Sequence, residues 1–289
     1  MSILELRDDR LAGIVDAGEL REVATGFEFT EGAVWDDERG RLIFSDIAGD
    51  TMYQLTGDDL AVYRSPSHMG NGNCWDPAGR LVTCEHATSR VVRQEADGTV
   101  TVLADGFGGR EFNSPNDVIA ASDGTVIFTD PTFGRNAFFG VERPLPREER
   151  GVYAVRPTGD VVCLADDFAQ PNGLFLTADE SALFVNDTER RHIRRFAYSP
   201  ESVSGGEVWA EVTGTGAGDP DGLKTDSAGN VYCTGPGGVH VFAPDAACLG
   251  VIRVPQAVAN FTWGDADRQT LFFCATNSIY AVRVSIPGP

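Results

Sequence analysis

Apolar residues in this chain come in short blocks rather than in helical stripes. Leu42-Ile43-Phe44, Leu81-Val82, Val126-Ile127-Phe128, Leu183-Phe184-Val185, Val231-Tyr232 and Leu271-Phe272-Phe273 each follow a turn rich in Asp, Gly or Asn. Blocks of this length, rich in β-branched and aromatic residues and bounded by turn formers, predict strands. A further short apolar stretch precedes each turn, so every block reads as the second arm of a hairpin. A third strand usually follows, as in Val91-Val92-Arg93, Gly151-Val152-Tyr153-Ala154-Val155 and Ser278-Ile279-Tyr280-Ala281-Val282. Six such units recur 39 to 56 residues apart, the length of a four-stranded propeller blade. Such a hairpin cannot bury both faces alone, and no long amphipathic helical period interrupts the series. The pattern therefore predicts an all-β, six-bladed β-propeller whose units stack radially and close into a ring.

One domain should span residues 1–289, with 1–18 as an N-terminal extension and 19–289 as the propeller. The strand-like stretch around Glu22-Val23-Ala24 is expected to join the last blade and remove its free edge. The segment from Gly134 to Arg150, with two prolines and mixed charge, predicts a long loop over one face.

Composition narrows the functions open to such a ring. Hydrophobic residues make up 42% and charged residues 23%, and no stretch is apolar enough to cross a bilayer. A water-soluble, cytoplasmic protein is expected, because the first ten residues carry early acidic charge and no apolar leader. The net charge of -20 and the lack of a basic stripe argue against a nucleic-acid partner. Lys224 is the sole lysine, which disfavours Schiff-base chemistry. The six cysteines lack C-x-x-C spacing and sit mostly in strand-like runs, so they are expected to be buried free thiols. Neither a G-x-S-x-G nor an H-E-x-x-H motif is present.

Every unit opens on a residue with a side-chain oxygen, in one register relative to its turn: Glu31, Asn71, Asn116, Asn172, Asp221 and Asn260. Asn and Asp before Gly are also ordinary turn formers. Their repetition at one position in six units favours a ring of oxygens on the propeller axis. Two carboxylates and several carboxamides suit a hard divalent cation. Calcium is the expected ion, with magnesium, manganese or zinc as alternatives. Glu31, Asn116, Asn172 and Asp221 are the expected ligands, while Asn71 and Asn260 should face substrate or solvent. His68, just before Asn71, and His86, at a strand end, are candidate pocket residues. Trp35, Trp75 and Trp263 recur beside the turns as expected blade-core residues.

Phe29-Thr30-Glu31-Gly32, Asn113-Ser114-Pro115-Asn116-Asp117, Phe128-Thr129-Asp130-Pro131, Gln170-Pro171-Asn172-Gly173 and Asp219-Pro220-Asp221-Gly222 resemble the gluconolactonase and senescence-marker-protein (regucalcin) family from about residue 20 to the end. The resemblance implies a six-bladed propeller with one catalytic divalent metal and a lactone substrate. It implies Glu31, Asn172 and Asp221 as core ligands and Asn116 as a fourth ligand or substrate contact. Where the regucalcin branch has a sugar-holding arginine, this chain has Ser114, which places it nearer the bacterial gluconolactonases. The expected reaction is hydrolysis of a sugar lactone or related cyclic ester, with Asp221 as base or nucleophile. A phosphotriesterase or fluorophosphatase, like the more distant diisopropylfluorophosphatase and paraoxonase propellers, is one alternative; a non-catalytic calcium-binding propeller is another. A monomer or small homo-oligomer is expected.

Overall fold

The computed structural model describes residues 2–16 and 18–289. Met1 and Ala17, inside the predicted N-terminal extension, lie outside the described residues. The described residues form six antiparallel blades, built in chain order from the axis outward except that the sixth takes its outer strand from the N-terminal region. The first blade comprises Thr30–Asp36, Arg41–Asp46, Thr51–Thr56 and Asp59–Arg64. The second comprises Gly70–Trp75, Leu81–Glu85, Arg90–Gln94 and Val100–Ala104. The third runs from Val118–Ala120 to Val161–Ala165 and the fourth from Pro171–Leu176 to Ser202–Glu211. The fifth runs from Leu223–Thr225 to Cys248–Arg253, and the sixth begins at Val258–Gly264.

The ring closes through the N-terminus. Arg21–Thr25 pairs with Ser278–Arg283 as the outer strand of the sixth blade, as the early apolar stretch predicted. The extension does more than precede the ring. Leu4–Leu6 adds a fifth strand to the fifth blade, and the short helix Arg10–Ile14 buries Leu11 and Ile14 beside it.

The core is distributed between blades. Leu42 and Phe44 pack toward the sixth blade while Ile43, between them, packs toward the second. Ile127 faces the fourth blade, whereas Val126 and Phe128 face the second. Successive side chains of a strand point to opposite faces, and each blade is covered on both. The second strands therefore read as unbroken apolar blocks rather than as alternating ones. All six cysteines are free, with Cys84, Cys233 and Cys274 buried.

Candidate functional site

At the predicted axial residues the inner ladders are interrupted. Register shifts fall between Glu31 and Val34, Gly70 and Asn73, and Pro171 and Leu174. In the third and fifth blades the strand begins two residues after Asn116 and Asp221. Bulges of this kind re-aim a side chain, and here the chain leaves the ladder where the oxygen-bearing residue occurs.

Blades touch one another at these positions through their backbones. Gly72 N–H donates to the Asn116 carbonyl (2.8 Å), Gly173 N–H to the Asp221 carbonyl (2.9 Å) and Gly222 N–H to the Ala259 carbonyl (2.7 Å). Gly32 has φ +57°, and a Cβ there would strike the Asn71 carbonyl oxygen. A Cβ at Gly173 would likewise strike the Asp221 carbonyl. The glycine after an axial residue is thus required by close approach and is more than a turn former. Second strands reinforce the arrangement from the preceding blade: Ser45 Oγ donates to Asn71 O (2.7 Å) and Asn186 Nδ2 to Asp221 O (2.6 Å).

The side chains so placed line a cavity of about 280 Å³. Glu31, Asn71, Asn116, Asn172 and Asp221 all line it, and His86 joins them. Phe29, Ile47, Phe133 and Phe139 supply apolar wall, and no lysine or arginine is among the lining residues described. Glu31 is buried, and its Oε2 accepts from Gly32 N–H (2.6 Å) and Asn260 Nδ2 (2.8 Å). The Glu31 and Asp221 carboxyl groups both line the cavity, close enough for each to affect the other's ionisation. Both are held above the ordinary carboxylate range, chiefly by burial. The charge of Asp117 adds to the rise at Glu31, and the charges of Glu31 and Asp117 add to it at Asp221. Two like charges placed together in one cavity call for a cation or a shared proton.

The donor set fits a hard divalent cation, because its atoms are carboxylate and carboxamide oxygens. No cluster of three or more His, Cys, Asp or Glu able to hold a metal occurs among the described residues. Any ion here would therefore depend on Asn116 and Asn172 beside Glu31 and Asp221. Asn172 is steadied by Nδ2 on Thr188 Oγ1 (3.2 Å), and the Asp221 backbone by its N–H on Thr234 Oγ1 (2.8 Å). Asn71 Oδ1 is buried without a hydrogen-bond partner.

Two predicted pocket residues lie elsewhere. Asn260, expected to face substrate or solvent, is 2% exposed and is not among the cavity-lining residues. Its Nδ2 is on Glu31 and its Oδ1 accepts from Phe261 N–H (2.8 Å), so it orients a carboxylate instead. His68, expected at the pocket, is exposed in a left-handed loop conformation (φ +58°) and does not line the cavity. The segment before the third blade's Gly151–Val155 strand covers the site as a loop, in line with its composition. Its start forms a short 3-10 turn, Phe133–Arg135, and Arg143 Nη1 ties it to the Ala87 carbonyl (2.8 Å). Ser114 Oγ donates to Pro131 O (2.7 Å) and accepts from Gly134 N–H (3.0 Å), so the base of this loop fills the space beside residue 114.

Sequence reasoning missed Asp117, Thr188 and the aromatic wall. Asp117 is a further buried carboxyl, its pKa raised by burial against the opposing charge of Lys224. Its signal was available: it follows Asn116 where most axial residues are followed by Gly.

Fold and site together define a β-propeller with a carboxylate and carboxamide cluster in an axial cavity. The chain belongs to the SMP-30/gluconolactonase/LRE-like family, whose profile matches residues 29–277. It is similar to the gluconolactonase of Zymomonas mobilis subsp. mobilis (strain ATCC 31821 / ZM4 / CP4), at 30% identity over 96% of this chain and 85% of that protein. A solved gluconolactonase from Xanthomonas campestris superposes with a TM-score of 0.91 at 29% identity, covering 97% of this chain and 94% of the other. The calcium-binding protein regucalcin from Agrobacterium tumefaciens str. C58 shares the fold, with a TM-score of 0.78 at 17% identity over 94% of this chain and 95% of its own.

Proposed function

We propose that this protein is a divalent-metal-dependent lactonase that opens a sugar lactone or related cyclic ester to the hydroxy acid, with calcium as the ion. The carrying observation is the pairing of buried Glu31 with half-buried Asp221 in one cavity that also presents Asn116 and Asn172. Family membership and the gluconolactonase relatives support the same reading. Glu31, Asn116, Asn172 and Asp221 would hold the ion. Bound there, it would polarise the lactone carbonyl and stabilise negative charge on its oxygen.

The chain supplies the rest. Asn260 fixes Glu31, and Thr234 and Asn186 fix the Asp221 backbone, so the acidic pair is preorganised. As base, an Asp221 carboxylate oxygen takes a proton from water as that water's oxygen bonds to the lactone carbonyl carbon. The ring C–O bond then breaks and the ring oxygen leaves as an alcohol, taking back the proton. Direct attack by an Asp221 carboxylate oxygen on the carbonyl carbon breaks the ring C–O bond and gives a mixed anhydride; the expelled ring oxygen takes a proton from water, and a second water later cleaves the anhydride to the hydroxy acid and free Asp221. Label found in Asp221 after a single turnover in heavy-oxygen water identifies direct attack, since the general-base route puts label only in the product. The lining without Lys or Arg, and with Asp219 at the cavity, favours a neutral substrate over a phosphorylated one.

The deciding experiment assays a lactone panel on chelated protein, before and after adding back single metals. Activity that vanishes on chelation and returns best with calcium is expected. Full lactonase activity in demonstrably metal-free protein would refute the metal requirement, and no activity on any lactone with any metal would refute the lactonase reading.

A further inference from the structure

We propose that His86 is a positioning residue that locks the Asn71 carboxamide so that its Oδ1 faces the cavity as acceptor for a substrate hydroxyl. The substrate part of this inference rests on the lactonase reading, whereas the lock itself follows from the hydrogen-bond arrangement alone.

His86 is 1% exposed, and its Nδ1 lies 2.8 Å from the carbonyl oxygen of Phe139 in the covering loop. A carbonyl only accepts, so Nδ1 carries the hydrogen. In the neutral ring Nε2 is then a lone-pair acceptor. Nε2 lies 3.1 Å from Asn71 Nδ2, which must be the donor. Turning the amide round would set two acceptors face to face, so the backbone of the covering loop dictates which end of Asn71 looks into the cavity. Oδ1 is that end, buried and unpartnered on a residue that lines the cavity. A buried acceptor left without a donor is destabilising, and a hydroxyl of a polyhydroxylated lactone is the group that would relieve it.

The ring is held from other sides as well. A Cβ at Gly134 would come within 2.7 Å of His86 Cγ, so the loop base packs against the imidazole. Arg143 donates to Ser89 Oγ (2.6 Å) and to the carbonyls of Ala87 and His86, which fixes the loop that carries Phe139. Its positive charge also disfavours the imidazolium.

The test has two arms. Nitrogen-15 NMR of the imidazoles, with the His86 signals assigned by their loss in His86→Leu, should show Nδ1 protonated and Nε2 bare at neutral pH. A protonated Nε2 would overturn the lock whatever the enzyme's activity. In the kinetic arm, δ-gluconolactone is compared with δ-valerolactone, which has the ring ester but no hydroxyl. His86→Leu and Asn71→Leu should each lower the preference for the hydroxylated lactone by about tenfold in kcat/KM, mainly through KM. The double variant should be no worse than Asn71→Leu alone, since the two act as one unit. Equal losses on both lactones, additive losses, or loss of metal affinity in Asn71→Leu would overturn the assignment. If wild type hydrolyses neither lactone, the lactonase reading and the hydroxyl acceptor fall, and the NMR arm still decides the lock.

Discussion

Asp221 shares the cavity with Glu31, and no lysine or arginine is among the cavity-lining residues described, which shapes what substitution there should do. Asp221→Asn keeps a ligand oxygen and nearly the same volume but removes the carboxylate. Turnover should fall about a hundredfold or more while metal stays at least partly bound; titrating metal into the variant and measuring kcat on the same sample checks both halves. His86 gives a second prediction at this scale. Burial pushes its pKa down to about 4 from the ordinary 6.5, opposed by the Phe139 carbonyl and aided by the Arg143 charge. The unfolded chain therefore takes a proton below pH 6.5 that the folded chain refuses until about 4. Stability should be undiminished by this group above that window and fall within it by roughly 3 kcal/mol. Urea unfolding across that pH range should show a shallower acid loss for His86→Gln than for wild type.

The blade is the element that repeats, and part of its repetition is polar. Asp46 accepts from the N–H groups of Glu28 and Phe29, Asp130 from those of Asn113 and Ser114, and Asp187 from those of Ala169 and Gln170. In each case a carboxyl at the end of a second strand captures the segment that leads to the axial residue of its own blade. The sequence repeats Phe44-Ser45-Asp46 as Phe128-Thr129-Asp130, but the latch itself shows only in the fold, since its partners lie 16 to 18 residues earlier and have no sequence signature. Asp187→Ala would strand the N–H groups of Ala169 and Gln170 near the start of the strand that carries Asn172. A loss of about 3 kcal/mol in chemical denaturation is expected, with weaker metal binding through displacement of Asn172. Unchanged stability would show that water replaces the carboxyl.

For the molecule as a whole, closure and the extension make separable contributions. Arg21–Thr25 completes the sixth blade, while Leu4, Leu11, Ile14 and Val15 pack into the cluster shared by the fifth and sixth blades. Removing residues 1–20 should leave a closed ring, because the closing strand survives. The lost apolar burial, about 1.5–3 kcal/mol per large side chain and partly offset by the entropy of ordering the segment, should lower Tm by roughly 5–10 °C. Removing residues 1–26 takes away the closing strand, so that variant should fail to form a cooperative propeller. Differential scanning calorimetry of the two truncations checks the distinction: equal melting curves would mean the closing strand is dispensable.

The sequence alone determined the repeat, because strand formation follows from local alternation of apolar blocks and turn residues, and a common register of Glu31, Asn71, Asn116, Asn172 and Asp221 suffices to bring their side chains to one axis. The closing strand was legible for the same reason. Tertiary structure decided which oxygens see the cavity. Asn260 has the same register as Asn71, yet it turns onto Glu31 because that carboxylate offers it a buried acceptor, and His68 is carried out to solvent by its loop. His86 was legible as a strand-end candidate, but the partner of its Nδ1, the carbonyl of Phe139, lies 53 residues away in sequence. Such contacts depend on side-chain direction and on segments folded back from far along the chain, and neither is encoded in local pattern.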